Sequence, residues 1–422
     1  MATRETLEAA QLVALRRLLA ELEHNAFWAP RLRDAGLDRG ALAGALPDLA
    51  TFRERLPTIT KDEIVADQRA HPPYGSNLSY PLERYVRLHQ TSGTSGGVPL
   101  RWLDTAESWS WMLETWIEVF RAAGVDASDR VFFAFSFGPF LGFWTAFDAA
   151  QKLGALALPG GVGTSTARLR LLLDNACTTF CATPTYALRL AEVAVAEGID
   201  LTTSSVRAVI VAGEPGGSVP STRQRIAEAW GATVFDHHGM TEVGPVSVPN
   251  PRFPETLHIR ETSYLAEVID AETGAPVAPG ESGELVLTTL GRLGSPLLRY
   301  RTGDLVRPST RDVVELGRPD LALEGGILAR TDDMVVVRGT NLYPSAVEQV
   351  VRGHVEGEYR VELDTRSAMA QIRVLIEDDD VALRRALEDD LRAAFQLRIP
   401  VEAVATGSLP RFELKAKRWV RR

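Results

Sequence analysis

The chain is poor in cysteine, in long apolar runs and in positive charge. Two of its 422 residues are cysteines, Cys177 and Cys181, and both lie in the run Cys177-Thr-Thr-Phe-Cys-Ala-Thr-Pro184, which reads as a buried strand. A metal site made from that pair alone is not expected. No window approaches about eighteen uncharged apolar residues, the length that crosses a bilayer. The first residues are charged and lead into an amphipathic helix, where a secretory signal would carry an apolar core. A soluble, cytoplasmic protein with no membrane partner is therefore expected. The net charge is −9 and the basic residues are dispersed apart from the end of the chain, which argues against nucleic acid as a partner. Internal repeats and low-complexity tracts are also missing. What remains is ordinary globular composition in a chain too long for one compact core. A large domain or paired subdomains with a smaller companion should result.

The stretch His89-Gln-Thr-Ser-Gly-Thr-Ser-Gly-Gly-Val-Pro99 stands out against this background. Thr91 to Gly97 puts four hydroxyls and three glycines into seven residues. Bare backbone N–H groups and hydroxyl donors at one loop suit a polyanion such as the phosphates of a nucleotide. No Lys-Ser or Lys-Thr pair follows, so this is not a Walker loop, and an ordinary flexible turn is the competing reading.

Upstream, helical spacing runs from about Arg4 to Ala35, with Phe27-Trp28 as a core anchor, and Leu56–Lys61 turns into a short helix capped by Thr60. Downstream, Asp104 and Glu107 have capping-box spacing, and Trp109, Leu113, Trp116, Ile117 and Phe120 share one helical face, a core stripe. Short apolar runs then alternate with helical segments from Val131 to Asp236. This alternation predicts right-handed crossovers and a largely parallel sheet covered by helices, with ligands at the carboxyl ends of the strands. The Gly/Pro punctuations fall there: Phe135 to Phe140, Pro159 to Gly163, Thr183 to Tyr186, Ala212 to Pro215 and Asp236 to Glu242. From about Leu257 to 331 short strands joined by turns suggest a small barrel-like subdomain. Residues 332–422 read as a separate compact α+β domain ending in a basic tail. The fold class is thus α/β multidomain, with residues 1–331 as the large domain and its α/β part extending to about 256.

Seven motifs in register resemble those of the acyl-adenylate-forming superfamily of AMP-forming ligases, and the whole chain is similar to its phenylacetate–coenzyme A ligase-like branch. They are Thr91–Pro99; Ala212-Gly-Glu-Pro215; His238-Gly-Met-Thr-Glu242; Gly283–Thr289; Leu298-Arg-Tyr-Arg-Thr-Gly-Asp304; Arg330-Thr-Asp-Asp-Met334 running into Val337–Pro344; and Lys415-Ala-Lys-Arg418. The resemblance implies that a carboxylate attacks the α-phosphate of ATP, pyrophosphate leaves, and a thiol, usually coenzyme A, captures the acyl-AMP. Two anions must meet, so the site has to neutralise and align. By the same resemblance Thr91, Ser92, Gly93, Thr94, Ser95 and Gly96 hold the β- and γ-phosphates, Glu242 binds Mg²⁺ and Thr241 touches the α-phosphate. Asp304 accepts the ribose hydroxyls, and Glu214, Pro215, Asp236, His238 and Gly239 lie around the adenine. Arg330 belongs to the nucleotide side, Asp332 is the hinge of a mobile C-terminal lid, and Lys415 bridges the carboxylate and the α-phosphate, with Lys417 as the alternative register.

Some positions depart from the pattern. The phosphate loop has one residue more than usual, Ala329 and Leu414 stand where glycines are usual, and His238 replaces a stacking aromatic. The cysteines of the structural zinc knuckle are missing, so no structural zinc is expected; a site from His237, His238 and His258 is disfavoured because adjacent residues on a strand point to opposite sides. Phe135, Phe137, Phe140, Phe143, Trp144, Tyr186 and Gly213 surround the expected acyl pocket, which favours a bulky apolar or aromatic acid. Free aryl acids, arylacetic acids and a small biosynthetic intermediate all stay open. The acceptor is expected to be coenzyme A; a carrier-protein phosphopantetheine, an amine, or a non-catalytic nucleotide-binding role are the rivals, and a homodimer is a family-level expectation.

Overall fold

A computed structural model of the chain describes residues 3–38, 46–91, 99–161, 163–331, 335–337, 340–364, 371–412 and 416–421. The first helix, α1 (Arg4–Glu21), opens on a capping box between Thr3 and Thr6. It docks across the chain: Arg4 grips the fully buried carboxylate of Glu261, and the Gln11 amide donates to the Glu261 carbonyl at 3.0 Å and to that of Tyr264 at 2.9 Å. Helices α2 (Trp28–Asp34) and α3 (Leu49–Arg55) follow, and α4 (Lys61–Ala70) starts at the expected cap, Thr60, with Glu63 closing the box. Trp28 is fully buried and its indole donates to the Pro296 carbonyl at 3.0 Å, the anchor its apolar setting predicted.

Strands β1 (Tyr85–Gln90) and β2 (Arg101–Thr105) pair antiparallel, so the Gly/Ser/Thr loop joins the two arms of a hairpin. Helix α5 (Ala106–Ala122) buries Trp109, Leu113, Trp116, Ile117 and Phe120, as its periodicity predicted. Its cap differs from the expectation. Thr105, not Asp104, accepts the Ser108 N–H, because the Asp104 carboxylate is committed to Arg292.

The parallel sheet is made of β3 (Arg130–Phe133), β4 (Leu156–Pro159), β5 (Thr179–Ala182), β6 (Ala208–Ala212) and β7 (Thr233–His237), in the order β4-β3-β5-β6-β7. The chain steps one way from β3 to β4 and then back past β3 to β5. With right-handed crossovers that reversal puts α6 (Gly142–Leu153) on one face with α5, and α7 (Ser165–Asp174), α8 (Pro184–Ala196) and α9 (Pro220–Trp230) on the other. Alternate strand residues divide accordingly: Val131, Phe133, Cys181 and Ile210 enter one core, Phe132, Phe180, Ala182 and Val209 the other. The reversal opens a crevice at the carboxyl ends of β3 and β5, where ligands of such sheets sit.

Past the sheet, β8 (Gly239–Met240) and β9 (Gly244–Pro245) form a two-stranded ladder, and β10 (Ser247–Pro249) and β11 (Thr256–Ile259) join a three-stranded sheet. Strands β12 (Tyr264–Ile269), β13 (Gly283–Thr289) and β14 (Tyr300–Val306) form a meander. Residues 371–376 and 359–364 are the two antiparallel central strands of a C-terminal four-stranded sheet, whose parallel edges are 401–403 and 419–421. With the helices Pro344–Arg352 and Val381–Phe395 this sheet encloses its own core. The final residues, read as a basic tail, therefore contain an edge strand, and Arg418 is buried against Glu358.

Candidate active site

The loops that punctuated the sequence do gather at the carboxyl ends of the parallel strands. At the hairpin, the Thr91 N–H donates to the Leu100 carbonyl at 2.9 Å and the Leu100 N–H to the Thr91 hydroxyl at 3.0 Å, closing the base of the loop. Gln90 N–H donates to the Pro139 carbonyl at 2.7 Å, which ties that base to the loop after β3. Ser92, Gly93, Thr94, Ser95 and Gly96 lie outside the described residues, as do Asp332 and Lys415.

Asp304, on β14, is 2% exposed. Its Oδ1 accepts from Arg330 Nη1 at 2.9 Å, and His238 Nε2 stands 2.9 Å from Oδ2. That second approach is an ion-pair contact without good hydrogen-bond alignment, and among the described residues neither Oδ2 nor His238 Nδ1 has a well-aligned hydrogen-bond partner. Burial pushes the Asp304 carboxyl upward, but His238 and Arg330 together outweigh it and hold the pKa below the ordinary value. Asp236, at the end of β7, accepts from the Ser218 hydroxyl at 2.5 Å and the His237 N–H at 3.0 Å, yet burial raises its pKa to about 6. His237 faces away from His238: its ring lies 4.2 Å from Trp116 and its Nδ1–H donates to the Ser247 carbonyl at 2.8 Å. His258 is separate again, 3.0 Å from the Asn250 amide. The three histidines are not brought together.

Glu242 sits in the turn between β8 and β9, and its carboxylate lies 3.1 Å from the ammonium of Lys61. In sequence the segment before α4 shows only a capped helix start; its fold places it at Glu242. Ile59 N–H donates to Arg299 O at 3.0 Å and Arg301 N–H donates to Ile59 O at 2.9 Å, so the segment pairs with the strand that carries Asp304 and delivers Lys61 to Glu242. Arg292 is a second residue without a sequence signal. Fully buried, it donates to both Asp104 oxygens at 2.7 and 2.6 Å and to the carbonyls of Thr241 and Glu242 at 2.8 and 2.9 Å. One guanidinium thus fixes the Thr241–Glu242 turn to the hairpin.

Phe135 and Phe137 form an aromatic cluster with Phe143, Trp144 and Phe147: Phe135 stacks on Phe143 at 4.3 Å and Phe137 meets Trp144 at 4.6 Å. Phe140 is 46% exposed beside Gly138, and Gly213, at the end of β6, takes a positive φ of 94°. Tyr186 is not brought to the phenylalanines. It is 1% exposed in the core on the opposite face of the sheet, its hydroxyl between Arg168 at 3.0 Å and Ser165 at 3.2 Å. Glu214 and Pro215 follow Gly213 on the rim; the Glu214 carboxylate accepts from Thr185 N–H at 2.8 Å and from Ala416 N–H at 3.0 Å.

Residues 88–291 match the family model described as AMP-binding enzyme, and residues 339–422 match its C-terminal domain. A phenylacetate–coenzyme A ligase of Escherichia coli is 30% identical over 400 residues, which cover 89% of this chain and 87% of that one. The enzyme of the same name from Thermus thermophilus is 33% identical over 82% of this chain and 76% of its own. This chain belongs to the AMP-binding enzyme family. With membership comes the reaction class, AMP-forming acid–thiol ligation. Among solved structures, 2-hydroxyisobutyryl-CoA ligase in its postadenylation state matches with a TM-score of 0.90 at 28% identity, over 100% of this chain and 90% of that one. The same ligase in its thioesterification state, with the adenylate and coenzyme A, matches with 0.73 at 29% identity, over 98% and 89%. Among the described residues no helix is long and apolar enough to cross a membrane.

Proposed function

We propose that this ligase activates an aromatic carboxylic acid, an aryl or arylacetic acid, and transfers it to coenzyme A. The observation that carries the choice of acid is the box of Phe135, Phe137, Phe143, Trp144 and Phe147 beside the crevice of the parallel sheet. Flat rings meeting edge and face suit an aromatic guest. The relatives named for phenylacetate support the same choice.

The residue roles follow from what each group can offer. Asp304 Oδ2, which no well-aligned donor among the described residues fills, suits a ribose hydroxyl donor, with Arg330 holding Oδ1 and the carboxylate pKa held low. Asp236, His238, Gly239, Glu214 and Pro215 frame the adenine side. Glu242, a buried carboxylate facing an ammonium, has the donor chemistry for Mg²⁺, which when bound neutralises and aligns phosphate oxygens. Thr241 and the loop from Thr91 to Gly96 take the phosphates, and Lys415, or Lys417 in the other register, supplies the charge that joins carboxylate and α-phosphate. The large domain ends at 331 and the lid begins at the hinge, Asp332. ATP and coenzyme A as co-substrates favour a cytoplasmic enzyme, and a homodimer is its proposed assembly.

A release assay for pyrophosphate over a panel of aryl, arylacetic, short aliphatic and amino acids tests the acid; aryl or arylacetic acids should give the highest kcat/KM. Transfer to a carrier-protein phosphopantetheine or to an amine is the rival for the second step, and product mass separates them.

A further inference from the structure

One carboxylate joins the two parts of the molecule beside the adenylation lysines. Glu214 Oε1 accepts the Thr185 N–H at 2.8 Å, in the first turn of α8, where an unpaired amide and the helix dipole favour an anion. Its Oε2 accepts the Ala416 N–H at 3.0 Å, on the segment that returns from the C-terminal part. Ala416 lies between Lys415 and Lys417. Two residues further on, Arg418 is fixed in the C-terminal core: its Nε donates to Glu358 at 2.6 Å and its carbonyl accepts from Val361 N–H at 2.8 Å. Residues 416–418 are therefore held at one end by their own domain and at Ala416 by Glu214. Among the described residues other polar contacts accompany this one: Arg225 donates to the Glu356 carbonyl at 2.6 Å, the Ser345 hydroxyl donates to the Leu328 carbonyl, and Arg411 approaches Glu192 to 4.0 Å. The whole-chain likeness is to the postadenylation state, 0.90, rather than the thioesterification state, 0.73, so these contacts belong to the first arrangement.

We propose that Glu214 is a positioning residue for adenylate formation. Its Oε1 is anchored on the large domain, and its Oε2 clamps the Ala416 backbone next to Lys417, holding the C-terminal part against the large domain until the lid turns away. The proposal rests on the ligase reading, but its first readout needs no turnover. Cys177 and Cys181 are 1% and 0% exposed, whereas Val195 and Val381 are 80% and 53% exposed, so cysteines placed at the latter pair take spin labels selectively, one on each part.

The test is the interdomain distance distribution of the ligand-free, doubly labelled chain, in the Glu214 background and in Glu214→Ala and Glu214→Asp. Asp keeps the charge and can keep the helix contact but is one methylene too short to span both amides. Both variants should move the ratio of the two arrangements about tenfold away from the one described here, the size expected for one charge-assisted hydrogen bond. Single-turnover adenylate formation should slow by a similar factor, and more than thioester formation from supplied acyl-AMP. Unchanged distance distributions, equal slowing of both half-reactions, or full recovery by Asp would each overturn it. A parent chain that releases pyrophosphate with no acid would count against the ligase reading instead and leave the distance result standing.

Discussion

At the scale of single residues the proposed site is a set of buried carboxylates whose charge is managed by neighbours. Arg-Thr-Gly-Asp pointed to Asp304, but not to its electrostatics: burial pushes its pKa up, and His238 and Arg330, distant in sequence, outweigh that and hold it below the ordinary value. Asp304→Asn removes the charge that the Arg330 guanidinium and the His238 ring face, and ATP affinity measured by calorimetry should fall at least about tenfold, the worth of a charged hydrogen bond; unchanged affinity would remove the ribose assignment. Lys61 was hidden for a different reason. A residue after Thr60 and two before Glu63 reads as part of a helix start, and a cation there works against the helix dipole. Its reach to Glu242 depends on Ile59 pairing with the strand from Arg299 to Arg301, a contact that no local pattern encodes. Lys61→Met leaves Glu242 without its cation, so the apparent Mg²⁺ affinity of the ATP-free protein, followed by Mn²⁺ competition, should rise severalfold. A fall would mean that the ammonium does not compete with the metal.

Among elements, the α/β alternation and nearly every strand and helix of the sheet could be read from periodicity, because each run of apolar residues matches its own element. Which face each helix covers could not. That depends on the strand order β4-β3-β5-β6-β7, and the reversal at β4 sends α8 to the face opposite α6, taking Tyr186 away from Phe135 and Phe137. The hairpin and the Thr241–Glu242 turn are joined by Arg292, which sits in a Gly/Ser-rich connection that reads as a polar turn. Both it and Asp104 are fully buried. Replacing Arg292 by Met strands the Asp104 charge and frees two carbonyls, so chemical denaturation should show a loss of about 3–5 kcal/mol. Asp104→Asn should cost a comparable amount. A loss below about 1 kcal/mol for both would mean that water satisfies these groups.

For the whole molecule, buried titratable groups predict how stability responds to acid. Burial lowers His89 to about 4, His237 to about 3 and His258 to about 4. The unfolded chain binds protons at these histidines below their ordinary pKa while the folded chain does not, so stability is lost as pH falls from about 6.5 toward 4, at roughly 1.4 kcal/mol per pH unit for each group. Asp236, raised to about 6, acts the other way in part of that window, since the folded state keeps a proton that the unfolded state releases. The histidines outnumber it, so unfolding free energy from denaturant titration should fall between pH 6.5 and 5. His237→Gln should flatten the slope and Asp236→Asn should steepen it. A flat profile in the parent chain would contradict the burial of these rings as neutral groups.

The five-stranded parallel sheet, the β-rich meander and the C-terminal sheet were legible because each carries its own pattern, and the family motifs pointed to the residues proposed for the site. The contacts that tie these parts into one site were not legible, since Lys61, Arg292 and the Glu214 clamp each join residues far apart in the chain. The central claim is that this site converts an aromatic acid, ATP and coenzyme A into an acyl thioester with release of AMP and pyrophosphate. Mass spectrometry of the products formed from arylacetic and aryl acids with MgATP, with coenzyme A and separately with a phosphopantetheinyl carrier protein, tests it most directly. The account predicts the acyl–coenzyme A mass with stoichiometric AMP. ATP binding with no acid-dependent pyrophosphate, or acyl transfer to the carrier alone, would contradict it.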